Sequence, residues 1–214
     1  MRPVQKVLTT ILWGLATLAM VSVIGAGLWR REAGADDDLV TAEQLPVQID
    51  VPPFDLVNQN QQRITLEDLR GKVWIADFIF TNCAGPCQKM TRRMAELQKA
   101  LPPDVRLVSF SIDPARDKPA ALKEYAKIFK ADEPRWYFLT GAEQGVMFAQ
   151  ARGMYIGATA AAAATQPGFE ISHSTRFVLV GPDAKVRGQY DSASEEAMSR
   201  LVKDARQLAE ESGS

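Results

Sequence analysis

Residues 73–101 read VWIADFIFTNCAGPCQKMTRRMAELQKAL. The first eight, VWIADFIF, are β-branched, aromatic and almost continuously apolar, with Gly71 before them and Asn82 after, the pattern of a buried strand. Met90, Met94, Leu97 and Leu101 then recur at spacings of four, three and four, which marks one face of a helix that Pro102-Pro103 stops. Between strand and helix lies Cys83-Ala84-Gly85-Pro86-Cys87. Gly85 offers the turn backbone freedom, and Pro86 suits a first helical position, so Cys87 falls in the opening turn. There the helix macrodipole and unpaired N–H groups favour thiolate over thiol, and both thiols are expected to be reactive.

Downstream, residues 105–112 (VRLVSFSI) read as a second strand and 119–129 as a second helix carrying Leu122, Tyr125, Ala126 and Phe129. Residues 136–139 form a short strand and 141–152 a third helix. Residues 176–180 and 186–190, joined by Gly181-Pro182-Asp183-Ala184-Lys185, read as an antiparallel hairpin. Ser192 followed by Glu195 has capping-box spacing, and Ala197, Leu201, Val202, Ala205 and Leu208 give the closing helix its apolar face. The order is βαβ, further helices, then ββα. A right-handed parallel crossover followed by a hairpin and a last helix predicts an α/β, thioredoxin-like sheet. The loop at residues 152–172 holds an alanine run at 160–164, either a tolerated surface insertion or a flap bearing on the cysteine turn.

The N-terminus has a different character. Residues 7–29 run from Val7 to Trp29 without a charge, and 23 residues as a helix span roughly 35 Å, enough for a hydrocarbon core of about 30 Å. Ala33-Gly34-Ala35 resembles a signal cleavage site, but the apolar run exceeds a signal h-region and Arg30-Arg31 intervene, which favours an uncleaved transmembrane anchor over 1–31. Residues 32–46, with Glu32, Asp36, Asp37 and Asp38, read as a flexible acidic tether, and 47–214 as the globular domain. The net charge of −1 combines +4 in residues 1–31 with −5 in the remainder, so no basic stripe points to nucleic acid as a partner.

The chain holds two cysteines, Cys83 and Cys87, and one histidine, His173. This excludes an all-Cys/His tetrahedral zinc site, a thiolate-held iron–sulfur cluster and a disulfide-stapled scaffold. A structural disulfide across so small a loop removes less denatured-state entropy than a long-range bridge. Redox exchange and metal binding remain. C-x-x-C is usual for exchange, whereas the additional residue here widens the bite between the sulfurs and favours joint coordination of a metal. His173 precedes the strand at 176–180, and in a sheet of this order that segment approaches the first strand-to-helix turn. It is therefore a candidate third ligand, against the plainer reading of a packed or surface histidine. Two thiolates and one imidazole suit Cu(I), and hold Cu(II) with an added oxygen ligand.

These residues resemble the Sco/SenC family of copper chaperones for cytochrome c oxidase. The likeness covers roughly residues 53–206. It rests on the turn from Asp77 through Cys83 to Cys87, on Ser111-Ile112-Asp113-Pro114-Ala115-Arg116-Asp117, on WYFLTG at 136–141, and on His173-Ser174 ahead of FVLV and Gly181-Pro182-Asp183. The resemblance implies copper ligation by Cys83, Cys87 and His173, and matches the family's D-x-x-x-D segment to Asp113 and Asp117. These two aspartates could instead end a strand and cap the following helix. It also implies a single-pass protein of the inner membrane, its C-terminal domain in the periplasm, delivering one copper to the binuclear copper centre of an oxidase subunit. A further periplasmic copper chaperone and a thiol reductant are candidate additional partners. The alternative activity is thiol–disulfide exchange, with Cys83 and Cys87 as the redox pair that reduces the cysteines of the oxidase copper site.

Overall fold

In chain order the elements are β1 (Ile49–Asp50), β2 (Asp55–Val57), β3 (Arg63–Thr65), α1 (Leu66–Leu69), β4 (Trp74–Ile79), α2 (Pro86–Ala100), β5 (Arg106–Ser111), α3 (Pro119–Ile128), β6 (Trp136–Leu139), α4 (Gln144–Ile156), β7 (Arg176–Val180), β8 (Lys185–Asp191) and α5 (Glu195–Ser212). This computed structural model describes residues 49–83, 85–133, 135–141, 143–156 and 175–212. The apolar span at 7–29, the acidic segment at 32–46, Ala84, the alanine run at 160–164 and His173 lie outside the described residues. Among the described residues no helix is long and apolar enough to cross a membrane.

Six strands form one sheet in the order β1-β8-β7-β4-β5-β6, and β2 and β3 form a separate hairpin. β4 pairs parallel with β5 and antiparallel with β7, while β5–β6 is parallel and β7–β8 antiparallel. The βαβ…ββα order therefore closes into the expected mixed sheet, with β4 near its centre. Every residue of β4 is buried, and its side chains divide by the period of two. Trp74, Ala76 and Phe78 pack with α1, α4 and the β2–β3 hairpin. Ile75 and Ile79 pack on the opposite face with α2, α3 and α5. Met90, Met94 and Leu97 of α2 are all at most 2 % exposed. Each such side chain contributes about 1.5–3 kcal/mol of burial, which fixes the face that α2 turns to the sheet and hence the orientation of the turn before it.

Two buried polar side chains bind backbone around β6. The Gln59 amide lies along β6, donating from Nε2 to the Trp136 carbonyl at 2.8 Å and accepting the Phe138 N–H on Oε1 at 2.9 Å. The Arg135 guanidinium donates to the carbonyls of Gln98, Leu101, Pro102 and Val105 at 2.7–3.0 Å. It thereby satisfies acceptors at and beyond the C-terminus of α2, where the macrodipole favours a cation.

The structure departs from the sequence reading in three places. The strands and short helix between Ile49 and Leu69 were not foreseen. The third helix starts at Gln144 rather than 141 and runs on to Ile156. Gly141 precedes it at φ +119°, a conformation that glycine alone adopts freely, and a Cβ there would crowd Val57. The cap of α5 is Ser194, whose Oγ accepts the Ala197 N–H at 3.2 Å, while Ser192 sits at the end of the hairpin with its N–H on the Thr175 carbonyl.

Candidate metal centre

β4 delivers the chain through Phe80, Thr81 and Asn82 to Cys83, and α2 begins three residues later with Pro86 at its first position. Gly85 is the N-cap of this helix at φ −146° and ψ −90°, outside the ordinary helical and extended regions. Both cysteines are free and buried. Cys87 turns into the core of the α2 face, and its N–H donates to Cys83 Sγ at 3.5 Å.

The two thiols differ sharply in acidity. Burial pushes the Cys87 thiol up to about 12, and the adjacent Cys83 sulfur and the Asp77 carboxyl push the same way. Burial also acts on Cys83, but the backbone N–H groups of Gly85 and Cys87 and the Cys87 thiol outweigh it and hold Cys83 below its ordinary value of 9.0. To the expectation that both thiols are reactive the structure adds a difference between them. The macrodipole reaches Cys87, yet desolvation there is the larger effect, and Cys83 is the thiol that ionises first.

An anchor missed as such in the sequence holds the turn to the sheet. The fully buried Asp117 carboxylate accepts the Thr81 N–H at 3.1 Å, the Thr81 hydroxyl at 2.5 Å and the Ser111 hydroxyl at 2.6 Å. It does not cap the next helix, whose N-cap is Lys118. The carboxylate of Asp113, the other acid of the D-x-x-x-D segment, pairs with Arg116 at 3.0 Å, while the Asp113 N–H donates to the Ser111 hydroxyl oxygen of this cluster at 3.1 Å. Thr91, one turn into α2 from Cys87, donates to the Cys87 carbonyl at 2.8 Å; with that proton committed, its oxygen accepts from the Tyr125 hydroxyl at 2.9 Å.

Asp77 is the unforeseen ionisable group. It lies in β4 on the same side as Ile75 and Ile79, has no exposed surface, and neither carboxyl oxygen has a hydrogen-bond partner of good geometry. Burial raises it to about 7, with the Ser109 hydroxyl opposing. The sequence carried its signal: one carboxylate within an otherwise apolar strand.

Among the described residues no cluster of three or more His, Cys, Asp or Glu side chains could hold a metal ion. The turn supplies two sulfur donors, soft ligands suited to Cu(I). His173, the expected third ligand, lies outside the described residues.

A paired-thiol turn at the end of a central strand, on a βαβ…ββα sheet, defines the thioredoxin-like class of dithiol domains. The chain belongs to the SCO1/SenC family, whose model matches residues 42–210. Its structure is similar to a SCO1/SenC family lipoprotein from Bacillus anthracis, with 33% identity, 78% of this chain and 98% of that chain covered, and a TM-score of 0.67. It is also similar to BsSco, a member of the Sco family of cytochrome c oxidase assembly proteins in which a disulfide switch is identified, with 36% identity, 77% and 96% coverage, and a TM-score of 0.65. A third similar structure is Arabidopsis thaliana ScoI with copper bound, with 26% identity, 74% and 99% coverage, and a TM-score of 0.58.

Proposed function

We propose that this chain binds one copper ion through Cys83, Cys87 and His173 and passes it to the binuclear copper centre of cytochrome c oxidase. The observation that carries this reading is the pair of free cysteines at the head of α2, four residues apart, with the Cys87 N–H on the Cys83 sulfur. The copper-bound Arabidopsis relative and the oxidase-assembly role of the BsSco family support it. Transfer proceeds by ligand exchange, a thiolate or imidazole of the receiver displacing His173 first. The apolar span 7–29 serves as the membrane anchor, 32–46 as the tether, and 47–214 as the copper-binding domain in the periplasm.

The unequal acidity of the thiols favours a second activity. Cys83 as thiolate attacks a disulfide of the oxidase subunit, and one subunit sulfur leaves as thiolate. Cys87 gives its proton to the subunit thiolate so released and attacks the Cys83 sulfur of the mixed disulfide, which frees the second subunit sulfur as thiolate and leaves a Cys83–Cys87 disulfide for an external thiol reductant to restore. The discriminating experiment is copper titration of the reduced full chain with X-ray absorption on the product, repeated for His173→Ala. A first shell with two sulfurs and one imidazole, losing the imidazole in the variant, supports the three-ligand site. A shell without sulfur overturns it, and an unchanged His173→Ala variant removes His173 from the set.

A further inference from the structure

A groove of about 480 Å³ runs between α2 and α3, starting at Thr81 beside the cysteine turn. Its apolar lining includes Tyr125, Phe129 and Ile128, and Ile128 is 73% exposed, the most exposed large hydrophobic side chain among the described residues. Arg92, Lys99 and Lys130 also line it, and none of the three has an ion-pair partner among the described residues. Glu96, which shares the lining, is bound to Arg93 at 2.9 Å. A cationic groove with an exposed apolar residue thus opens in a chain whose residues after 31 carry a net −5.

Lys130 at the groove's rim also holds an unusual backbone conformation. Its N–H bonds to the Lys127 carbonyl and that of Ala131 to the Ala126 carbonyl, the Schellman arrangement that ends α3. The position has φ +54°, where glycine is usual and a lysine is strained. A long cation thus stands at the groove's rim where backbone preference favours glycine.

Resting on the copper-transfer reading above, we propose that this groove docks an extended, acidic segment of the protein that receives copper, with one apolar side chain seated against Ile128 and Phe129. Arg92 and Lys99 are two helical turns apart, about 10 Å, which matches carboxylates three residues apart on one side of an extended polyproline-II segment, about 9 Å. A concave groove suits a peptide, whereas a lipid surface would meet these cations best on a flat or convex face.

The test measures binding of the full chain, with and without copper(I), to the copper-free oxidase subunit at low and high salt. Neutralising Arg92, Lys99 and Lys130 together to glutamine should weaken binding tenfold or more and remove most of its salt dependence, with copper loading unchanged. Ile128→Ser should weaken binding about tenfold at either salt. Lys130→Gly should raise the melting temperature yet weaken binding, a pair of opposite signs that partial unfolding cannot produce. Variants that bind the subunit as the wild type does overturn the groove. Hydrogen exchange at residues 126–131, slowed by phosphatidylglycerol nanodiscs but not by the subunit, overturns it in favour of a membrane contact. A wild-type chain that fails to load copper overturns the cysteine-site reading instead, while groove-dependent binding measured without copper would still support the docking surface.

Discussion

Replacing Asp117 with asparagine keeps its shape but converts one acceptor oxygen into a donor. That carboxylate receives three donors, the Thr81 N–H, the Thr81 hydroxyl and the Ser111 hydroxyl, in a fully buried setting. Hydrogen bonds to a charged group are each worth about 1.5–3 kcal/mol, and a buried donor left unpaired costs about 1–3 kcal/mol. Asparagine can re-pair part of the cluster by rotating the Ser111 hydroxyl, so Asp117→Asn should destabilise by about 2–3 kcal/mol. Asp117→Ala, which strands all three donors, should cost about 3–5 kcal/mol. For a domain of this size the asparagine change corresponds to a fall in melting temperature of about 5–10 °C. Urea unfolding of the full chain, followed by the fluorescence of the fully buried Trp74 and Trp136, reads this directly. Thr81→Val supplies the control, and the cycle of the two changes should be non-additive by about 1 kcal/mol or more, because they share a hydrogen bond. The alkylation rate of Cys83 should change in the same variants, since Thr81 sits two residues before it. Unchanged stability together with an unchanged Cys83 rate would refute the assignment of Asp117 as the anchor of the turn.

Iodoacetamide at mildly alkaline pH should modify Cys83 well before Cys87, because one thiol lies below 9.0 and the other is pushed up to about 12. Peptide mass spectrometry showing Cys87 modified first would contradict the burial argument. Asp77 binds a proton more tightly in the folded chain, at about 7, than at its ordinary 3.8, so folding takes up protons and stability declines as pH rises from about 4 to about 7. Asp77→Asn should abolish that decline and be more stable at pH 8 by about 2–4 kcal/mol, as read from denaturant midpoints across pH. Arg135→Ala removes donors from four carbonyls and should destabilise by about 2–4 kcal/mol, while Arg135→Lys recovers only part because an ammonium cannot span the same fork.

The core of the fold was legible because its signals are long. β4, α2, β5, α3, β6 and the β7–β8 hairpin each fall within one or two residues of their expected bounds, except that the helical reading at the start of α2 rested on Pro86 alone. The segment from Ile49 to Leu69 was not legible, since strands of two and three residues and a four-residue helix are shorter than any periodic window, and Asp55 and Arg63 mask them with exposed charge. The site was legible in its thiols and not in their ranking. Spacing identifies Cys83 and Cys87 as a pair, but the balance between macrodipole and desolvation depends on how deeply α2 sinks Cys87 into the core. Asp117 showed as half of a D-x-x-x-D pattern and as a helix-cap candidate, and its role as anchor appears once β5 brings Ser111 beside Thr81.

The Gln59 amide has a consequence for how this protein can meet others. β6 is an edge strand, and the open hydrogen-bonding groups of an edge invite pairing with a foreign strand. Here a side chain already occupies the carbonyl of Trp136 and the N–H of Phe138, as a short stretch of neighbouring strand would. The opposite edge is the two-residue β1, whose chain soon reaches Pro52-Pro53, where no N–H is available to donate. With both margins blunted, strand addition is a poor route to this sheet, and recognition falls to the side chains of helices and turns. Gln59→Ala would reopen one margin, and self-association through added strands is the liability it would expose.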